Sequence, residues 1–239
     1  MITRGSIIST VRSLVSRKIN LIDVGSFGGL PVEWKQNKHH IGFLMNFEPR
    51  DKPIKSGDVI TMNTALWSDN TTKDFYIHSQ GAGSSLYVQN YDYVRENWET
   101  LKNIGSIELA KTWFDRSTLE RTEKIECRKL DDVIEEQAPT IQFDFLKIDA
   151  QGAEFEIIKG ADKLLSGSCM GLMLELFTIP MYKGITLLPD VAEYLSKKGF
   201  TLIKIFPSPS TFNAANDCLF IKEGSDKKIS SIIYKIYGV

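Results

Sequence analysis

Short apolar runs and amphipathic stretches alternate along most of the chain. Several of the apolar runs stop at a glycine, an acidic residue or a proline, as buried parallel strands do. The alternation predicts an α/β fold with helices on both faces of one sheet. Seven strands are predicted, the last two as an antiparallel hairpin: residues 19–24, 41–48, 59–65, 142–149, 170–176, 200–206 and 218–222. Helices are predicted over residues 31–38, 133–137, 153–159 and 189–198.

Residues 66–120 interrupt this alternation. They contain a turn-rich stretch, a short strand near residues 74–78 and a Gly/Ser loop over residues 80–85, which together suggest a hairpin at the sheet edge. Polar residues with interspersed aromatics follow and give no clear period. We expect one domain over residues 1–239, with residues 66–120 as an insertion that recognises the substrate.

The first twenty residues carry four basic side chains and no acid, and their apolar positions share one helical face. The pattern predicts a helix within residues 1–18. A transit peptide or a membrane-surface helix is one interpretation. A helix that covers the sheet is favoured, because a strand follows at once with no cleavable spacer.

Composition and charge exclude several classes of protein. With 239 residues, 42% hydrophobic and 25% charged, the chain suits one soluble domain. The net charge of −1 gives no reason to expect a nucleic-acid partner. Three distant cysteines indicate neither a disulfide framework nor a zinc site, so a reducing, cytoplasmic location is expected. No apolar run is long enough to span a membrane. The sequence leaves open whether the chain forms a homo-oligomer.

The first strand ends in a glycine-rich loop, which reads Asp23-Val-Gly-Ser-Phe-Gly-Gly29. Glycines let the backbone turn tightly and approach a ligand closely. Glu48 follows at the end of the second predicted strand, where an acid can accept hydrogen bonds from both ribose hydroxyls. Ligands of open α/β sheets bind at these carboxyl ends, so a nucleotide-like cofactor is expected here.

The loop does not match a phosphate-binding signature. It reads Gly25-x-x-Gly28 rather than GxGxxG, and no GKS or GKT follows. S-adenosylmethionine has no phosphate, and Asp23 suits its ammonium group while backbone N–H groups suit its carboxylate. An NAD-linked oxidoreductase with a degenerate loop is the alternative enzyme. A Rossmann-like binding module without catalysis is the alternative from another class.

Charged residues also occur inside the predicted strand over residues 142–149. Lys147 and Asp149 lie two positions apart, so their side chains share one face of the strand. Burying Lys147 without a partner would be unfavourable. Asp149 at the strand tip would face the reactive end of the cofactor, although a purely structural ion pair is the simpler interpretation.

These segments together resemble one known family. The matching residues are Leu21–Gly29, Phe47–Pro49, Ala65 and Leu66 with Asp69, Ser84–Leu86, Leu130–Asp132, Phe145–Glu154, Lys159–Ala161 and Glu175. The chain resembles the FkbM-type methyltransferases, and the pattern spans about residues 19–222. The family more often has Glu where this chain has Gln151, and Asn where it has Phe27.

The resemblance implies a Rossmann-like class I methyltransferase fold, with a seven-stranded, mostly parallel sheet. It implies S-adenosylmethionine as the cofactor and O-methylation of a sugar, a glycan or a small metabolite. The cofactor-binding residues it suggests are Asp23, Gly25, Ser26, Gly28, Glu48, Ala65, Leu66, Ser68, Asp69, Asp149 and Gln151. RNA methylation is a weaker alternative, because no basic stripe supports it.

Methyl transfer to a hydroxyl benefits from a base that takes up the proton. Asp149 is the favoured base, because it follows a strand tip next to the predicted sulfonium. The other candidates for the catalytic site are Lys147, Glu175, His78 and Glu154. A divalent metal bound by Asp149 is an alternative, but no cluster with ligand spacing supports it, so no metal ligands are assigned.

Overall fold

A central mixed sheet and a smaller second sheet organise the chain. A computed structural model describes residues 17–207 and 210–239. The strands are β1 (Ile19–Val24), β2 (Ile41–Phe47), β3 (Ile54–Ser56), β4 (Val59–Met62), β5 (Ala65–Leu66), β6 (Thr71–His78), β7 (Leu119–Arg128), β8 (Phe145–Ile148), β9 (Gly171–Phe177), β10 (Phe200–Pro207) and β11 (Ala215–Lys222). The helices are α1 (Val32–Gln36), α2 (Tyr91–Glu96), α3 (Trp98–Leu101), α4 (Ile107–Lys111), α5 (Trp113–Arg116), α6 (Leu130–Gln137), α7 (Glu154–Lys159), α8 (Asp162–Ser166), α9 (Leu188–Lys197) and α10 (Lys227–Tyr237).

The central sheet has the strand order β10-β11-β9-β8-β1-β2-β4-β3. The five strands from β9 to β4 are parallel to one another. β11 pairs antiparallel with β9 and β10, and β3 pairs antiparallel with β4. The carboxyl ends of the parallel strands therefore meet along one edge, with β1 and β8 at its centre.

The structure confirms the α/β class and the antiparallel pair near the carboxyl terminus, but the predicted number of seven strands is wrong. β3 is an eighth strand, and all three of its residues are exposed. An exposed edge strand carries no apolar run that sequence patterning could detect. The predicted strand over residues 59–65 also divides, because β4 ends at Met62 and Ala65 begins β5 of the second sheet.

Much of residues 66–120 lies apart from the central sheet. β5, β7 and β6 form the three-stranded second sheet, in which the long β6–β7 pair is antiparallel. Four short helices, α2 to α5, occupy residues 91–116. These helices bury Val94, Leu101 and Trp113 in a separate apolar cluster, which also includes Phe177 of β9 and Ala215 of β11. The stretch without a clear period is therefore helical, in pieces of four to six residues.

Two apolar layers cover the central sheet. One contains the larger core, in which Leu146 of β8 and Val191 of α9 are fully buried. The other contains Trp34 of α1 and Ile233 of α10, both 0% exposed. The amphipathic helix α10 was not predicted, although its apolar positions are spaced at three and four residues.

The predicted amino-terminal helix falls mainly on residues 1–16, which lie outside the described residues. Arg17, the first described residue, pairs with Asp144 at 2.9 Å and with Asp226 at 2.8 Å. Within residues 17–207 and 210–239, no helix is long and apolar enough to cross a bilayer.

Gly160 follows α7 at a point of close backbone approach. A Cβ placed there would lie 2.3 Å from the carbonyl oxygen of Trp67. We expect Gly160→Ala to destabilise the fold by about 1–3 kcal/mol through overpacking, measured by chemical denaturation. Gly83→Ala is the matched control, since its Cβ would meet only the Gln89 side chain at 3.8 Å. Equal stability of the two variants would contradict this prediction.

Candidate functional site

The turn after β1 brings the backbones of β1 and β8 together. Gly25 has φ of +76°, and a Cβ on it would lie 1.7 Å from the carbonyl oxygen of Asp149. The Gly25 N–H donates to Phe47 of β2 at 2.9 Å, and the Asp149 N–H donates to Val24 at 3.0 Å. Only glycine fits this position, because a Cβ would collide with the Asp149 carbonyl. Through these close contacts the loop joins the ends of β1, β2 and β8.

A pocket of about 310 Å³, the first pocket, opens above these strand ends. Its apolar wall contains Phe47, Ala65, Leu66, Leu86 and Ile157, and its polar wall contains Glu48, Arg50, Asp149, Gln151 and Glu175. The wall is apolar on the side of the second sheet and acidic on the side of β8 and β9. The pocket can hold a flat apolar group at one end and a polar or cationic group at the other.

Glu48 is 3% exposed and has one direct counterion. Arg50 donates to its Oε1 from Nε at 2.8 Å and from the backbone N–H at 3.2 Å. Arg50 also donates to the carbonyl of Gly81 at 2.8 Å and stacks 4.3 Å from the ring centre of Phe27. Arg50 therefore links β2, the glycine loop and the start of the insertion over the rim of the pocket.

Lys147 lies between two carboxylates at the centre of the sheet. Its Nζ is 3.3 Å from Asp23 Oδ1 and 3.7 Å from Asp149 Oδ2. Burial raises the pKa of Asp23, although the Lys147 ammonium opposes this effect. Burial lowers the pKa of Lys147, but the facing carboxylates outweigh it and leave the pKa above its ordinary value. The Lys147 ammonium is therefore held in its charged form.

Gln151 has φ of +51° and forms the centre of a hydrogen-bond network. Its Nε2 donates to Asp149 at 3.1 Å and to Glu175 at 2.6 Å. Its Oε1 accepts from the Tyr182 hydroxyl at 2.9 Å, and its backbone carbonyl accepts from Ser85 Oγ at 2.6 Å. A residue with φ above zero is strained, and these bonds hold it in place.

Glu175 and Asp217 add two carboxyl groups beside this network. Burial and the neighbouring carboxylates, first Asp149, raise the pKa of Glu175 well above its ordinary value. Burial and then Asp149 raise the pKa of Asp217 to about 6. The strand ends therefore carry more acid than Lys147 alone can neutralise.

A second pocket of about 350 Å³ adjoins the first. Ala82, Gln151 and Glu175 line both pockets and form the wall between them. The remainder of the second pocket comes from the insertion, β9 and the segment before β11: Gln80, Gly83, Gln89, Leu109, Trp113, Arg116, Ser117, Phe177, Met181, Tyr182, Ser210, Thr211, Ala214 and Ala215. Glu175 therefore faces two cavities that could hold two reactants.

The structure brings most, but not all, of the predicted site residues together. Gly25, Glu48, Ala65, Leu66, Asp149, Gln151 and Glu175 line the first pocket. Asp23 and Ser26 are buried and line neither the first nor the second pocket. Lys147 lines a third pocket of about 370 Å³, which shares Gly25, Phe27 and Asp149 with the first. Gly28 has φ of +81° in the same loop. Ser68 and Asp69 follow β5 and lie outside the lining of the first pocket.

Two of the candidate bases are not at the pocket surface. His78 on β6 is 2% exposed, and burial lowers its pKa, which favours the neutral ring. Glu154 is 3% exposed, and its Oε1 accepts from the N–H of Ala150 at 2.8 Å. Glu154 therefore supports the turn that carries Gln151, and neither side chain lines the first or the second pocket.

Sequence reasoning missed two arginines that line the pockets. Arg50 lies two positions after Glu48, and this short spacing could have indicated the pair. Arg116 gave no signal, because it lies in the stretch without a clear period. Within the described part of the chain, no three His, Cys, Asp or Glu side chains converge in a way that could hold a metal ion.

Comparison with known proteins identifies the family. The profile of the methyltransferase FkbM domain matches residues 31–202, which is more than half of the chain. The chain therefore belongs to the FkbM methyltransferase family, as the sequence motifs predicted. A search of curated proteins gave no match.

Two solved structures are similar to this chain. The methyltransferase FkbM from Methylobacillus flagellatus KT has 14% identity and a TM-score of 0.47, covering 85% of this chain and 43% of that one. The magnesium protoporphyrin IX methyltransferase from Synechocystis PCC 6803, solved with bound SAM, has 11% identity and a TM-score of 0.39, covering 92% and 77%. This chain thus matches less than half the length of the FkbM relative.

The burial of Glu154 predicts a pH-dependent stability. Burial raises the pKa of Glu154 from 4.5 to about 8, so the folded state favours the protonated form. The contribution of Glu154 to the stability of the fold is complete below the pKa that its carboxyl group has in the unfolded chain. This contribution is lost as pH rises through the pKa of the folded state. Glu154→Gln should therefore gain stability relative to the parent between about pH 5 and about pH 8, by roughly 1.4 kcal/mol per pH unit at most.

Chemical denaturation of both proteins across this pH range measures the difference. Glu193→Gln on α9 is the matched control, because the exposed Glu193 side chain is 68% accessible. The Glu193→Gln curve should remain parallel to the parent curve. A pH-independent difference between the parent and Glu154→Gln would contradict the assignment.

Proposed function

We propose that this chain is an S-adenosylmethionine-dependent O-methyltransferase acting on a hydroxyl of a sugar, a glycan or a small metabolite. The first pocket would hold the cofactor and the second pocket the acceptor. The observation that carries this proposal is the charge of the strand ends. Their acids exceed their cations, which favours a positively charged ligand.

The same charge argues against an NAD-linked oxidoreductase. A pyrophosphate would have to bind beside Glu48, Asp149 and Glu175. The nearby cations are already paired, Arg50 with Glu48 and Lys147 with Asp23. Adenosylmethionine carries a sulfonium and an ammonium instead, and both are stabilised by carboxylates.

The residues present fit the parts of this cofactor. Both carboxylate oxygens of Asp23 are buried without a hydrogen bond among the described residues, although Oδ1 lies 3.3 Å from Lys147 Nζ, so Oδ2 is the oxygen left for an ammonium group. Gly25 gives the cradle that a Cβ would fill. The two bonds from Arg50 to Glu48 use Oε1, so Oε2 can accept from a ribose hydroxyl. Ala65 and Leu66 offer an apolar face for the adenine ring.

Glu175 is the base that this arrangement supports best, in place of the sequence-based preference for Asp149. It lines both pockets, whereas Asp149 lines the first pocket and the third. The raised pKa of Glu175 suits a base that must work near neutral pH. A cationic ligand beside Glu175 would lower that pKa and favour its ionised form.

In the proposed reaction, the bound cofactor supplies an electrophilic methyl group on its sulfonium. The two pockets would place the acceptor oxygen beside this methyl group, and such positioning supplies much of the acceleration. As the new C–O bond forms, the methyl–sulfur bond would break and leave its electron pair on sulfur as the thioether of S-adenosylhomocysteine. Glu175 would accept the hydroxyl proton. Gln151 donates to Glu175 and Asp149 and fixes both carboxyl groups at the boundary between the pockets.

Cofactor binding is tested by calorimetry with S-adenosylhomocysteine and with NAD. We expect the parent to bind the first and not the second. Glu48→Gln should weaken binding by about tenfold, because a charge-assisted hydrogen bond to ribose becomes a neutral one. Glu136→Gln on the exposed face of α6 is the control and should leave binding unchanged. Binding of NAD alone would overturn the proposal.

The base is tested with Glu175→Gln, Asp149→Asn and the control Glu193→Gln. Glu175→Gln should lower kcat by about 10²–10⁴-fold while retaining S-adenosylhomocysteine binding. The kcat of the parent should rise with pH through the raised pKa of Glu175, since the base must be ionised. This rising limb of the pH profile should be absent in Glu175→Gln. If only Asp149→Asn removes the limb, Asp149 is the base. Cofactor binding without methylation of any hydroxyl acceptor would instead support a silent binding module.

A further inference from the structure

The second pocket contains one cationic side chain. Arg116, at the end of α5, and Glu175 are the two charged residues among its described lining. Glu175 lies at the boundary with the first pocket, whereas Arg116 lies on the side of the insertion. The second pocket therefore has a guanidinium at one end, while the first pocket is acidic.

All the partners of Arg116 are neutral. Its Nη2 donates to the carbonyl of Leu109 at 2.7 Å and to Thr211 Oγ1 at 2.8 Å. Its Nη1 donates to Gln80 Oε1 at 2.5 Å, and its Nε donates to Thr112 Oγ1 at 3.1 Å. Counted over the described residues, these four bonds leave one of the five guanidinium N–H groups for a ligand.

Among the described residues, no Asp or Glu lies within 4.0 Å of this guanidinium, and residues 1–16, 208 and 209 contain no acid. Burial lowers the pKa of Arg116, but an arginine stays charged at neutral pH. Hydrogen bonds to carbonyl and hydroxyl oxygens hold the group in place without compensating its charge.

We propose that Arg116 binds a carboxylate of the methyl acceptor, which makes the acceptor a hydroxy acid such as a uronic acid. This inference rests on the proposed function, because it places the acceptor in the second pocket. Arginine matches the planar geometry of a carboxylate. The Gln80 side chain, which is exposed, can move aside to open a second donor on Nη1.

Charge and shape favour a carboxylate over a phosphate. A phosphate monoester carries nearly two negative charges at neutral pH, whereas this pocket offers a single cation. Ser117, Ser210 and Thr211 line the same pocket and add polar groups to its wall. Trp113 and Phe177 supply the apolar part of its wall, against which the C–H face of a sugar ring can pack.

The test uses protein saturated with S-adenosylhomocysteine and three small probes. D-glucuronate is compared by NMR titration with its neutral amide, D-glucuronamide, and with D-glucose 6-phosphate. The parent should bind glucuronate at least about tenfold more tightly than glucuronamide, since the two differ only in the charged group. An equal response to these two probes, including no response, overturns the inference. Tighter binding of the phosphate than of glucuronate overturns the choice of carboxylate.

Variants then assign the preference to Arg116. Arg116→Gln should bind glucuronate and glucuronamide equally, and Arg116→Lys should retain a reduced preference because it keeps the charge but loses the planar fork. Arg121→Gln, an exposed arginine on β7, is the matched control and should behave as the parent. If Arg116 had a purely structural role, its substitution would leave the preference for glucuronate over glucuronamide unchanged. Its persistence in Arg116→Gln overturns the assignment.

The titration with S-adenosylhomocysteine on the same samples separates the two proposals. If the parent does not bind it, the proposed function fails. If the parent binds it but shows no preference for glucuronate, only the carboxylate inference fails. Should Arg116→Gln unfold, Arg116→Lys and the comparison of probes on the parent decide the question.

Discussion

The ion pair between Asp23 and Lys147 connects the two central strands where they reach the carboxyl edge of the sheet. The two residues are partners in the β1–β8 register, so the ion pair forms directly between neighbouring strands. Removing one partner of such a buried pair costs about 3–5 kcal/mol, because the other charge is left without compensation. The pair therefore fixes where the glycine loop begins and where the Asp149–Gln151 turn lies relative to it. Both turns form the floor of the first pocket.

The excess of acid along this edge explains the network around Gln151. An amide can donate to Asp149 and Glu175 at once while it accepts from Tyr182. A glutamate, which the family more often carries at this position, would bring a further carboxylate against these two. Gln151 thus holds two carboxyl groups of the acidic edge in place. The same edge would gain from a cationic ligand, because burial and then the neighbouring Asp149 raise the pKa values of Glu175 and Asp217.

The sequence predicted the central strands well, because each is a short, continuous apolar run buried on both faces. It could not predict β3, whose three residues are exposed, nor the division of residues 59–65 between two sheets. Gly25, Glu48 and Asp149 could be predicted as site residues, because each follows a predicted strand and parallel topology brings such strand ends together. Arg116 could not be found in this way. Its place depends on how short helices pack, and such packing leaves no period in the sequence.

The two pockets differ in how they depend on the fold. The first pocket is formed largely by strand ends and the turns that follow them, whose positions the sheet register determines. The second pocket takes most of its wall from loops and short helices, including α4, α5 and the segment before β11. Arg116 joins these pieces through Leu109 and Thr211, so the same guanidinium shapes the pocket and charges it. Under the proposed function, substitutions in this wall would change which acceptor is bound without disturbing the ion pair and the glycine loop, whereas Gln151 and Glu175 line both pockets.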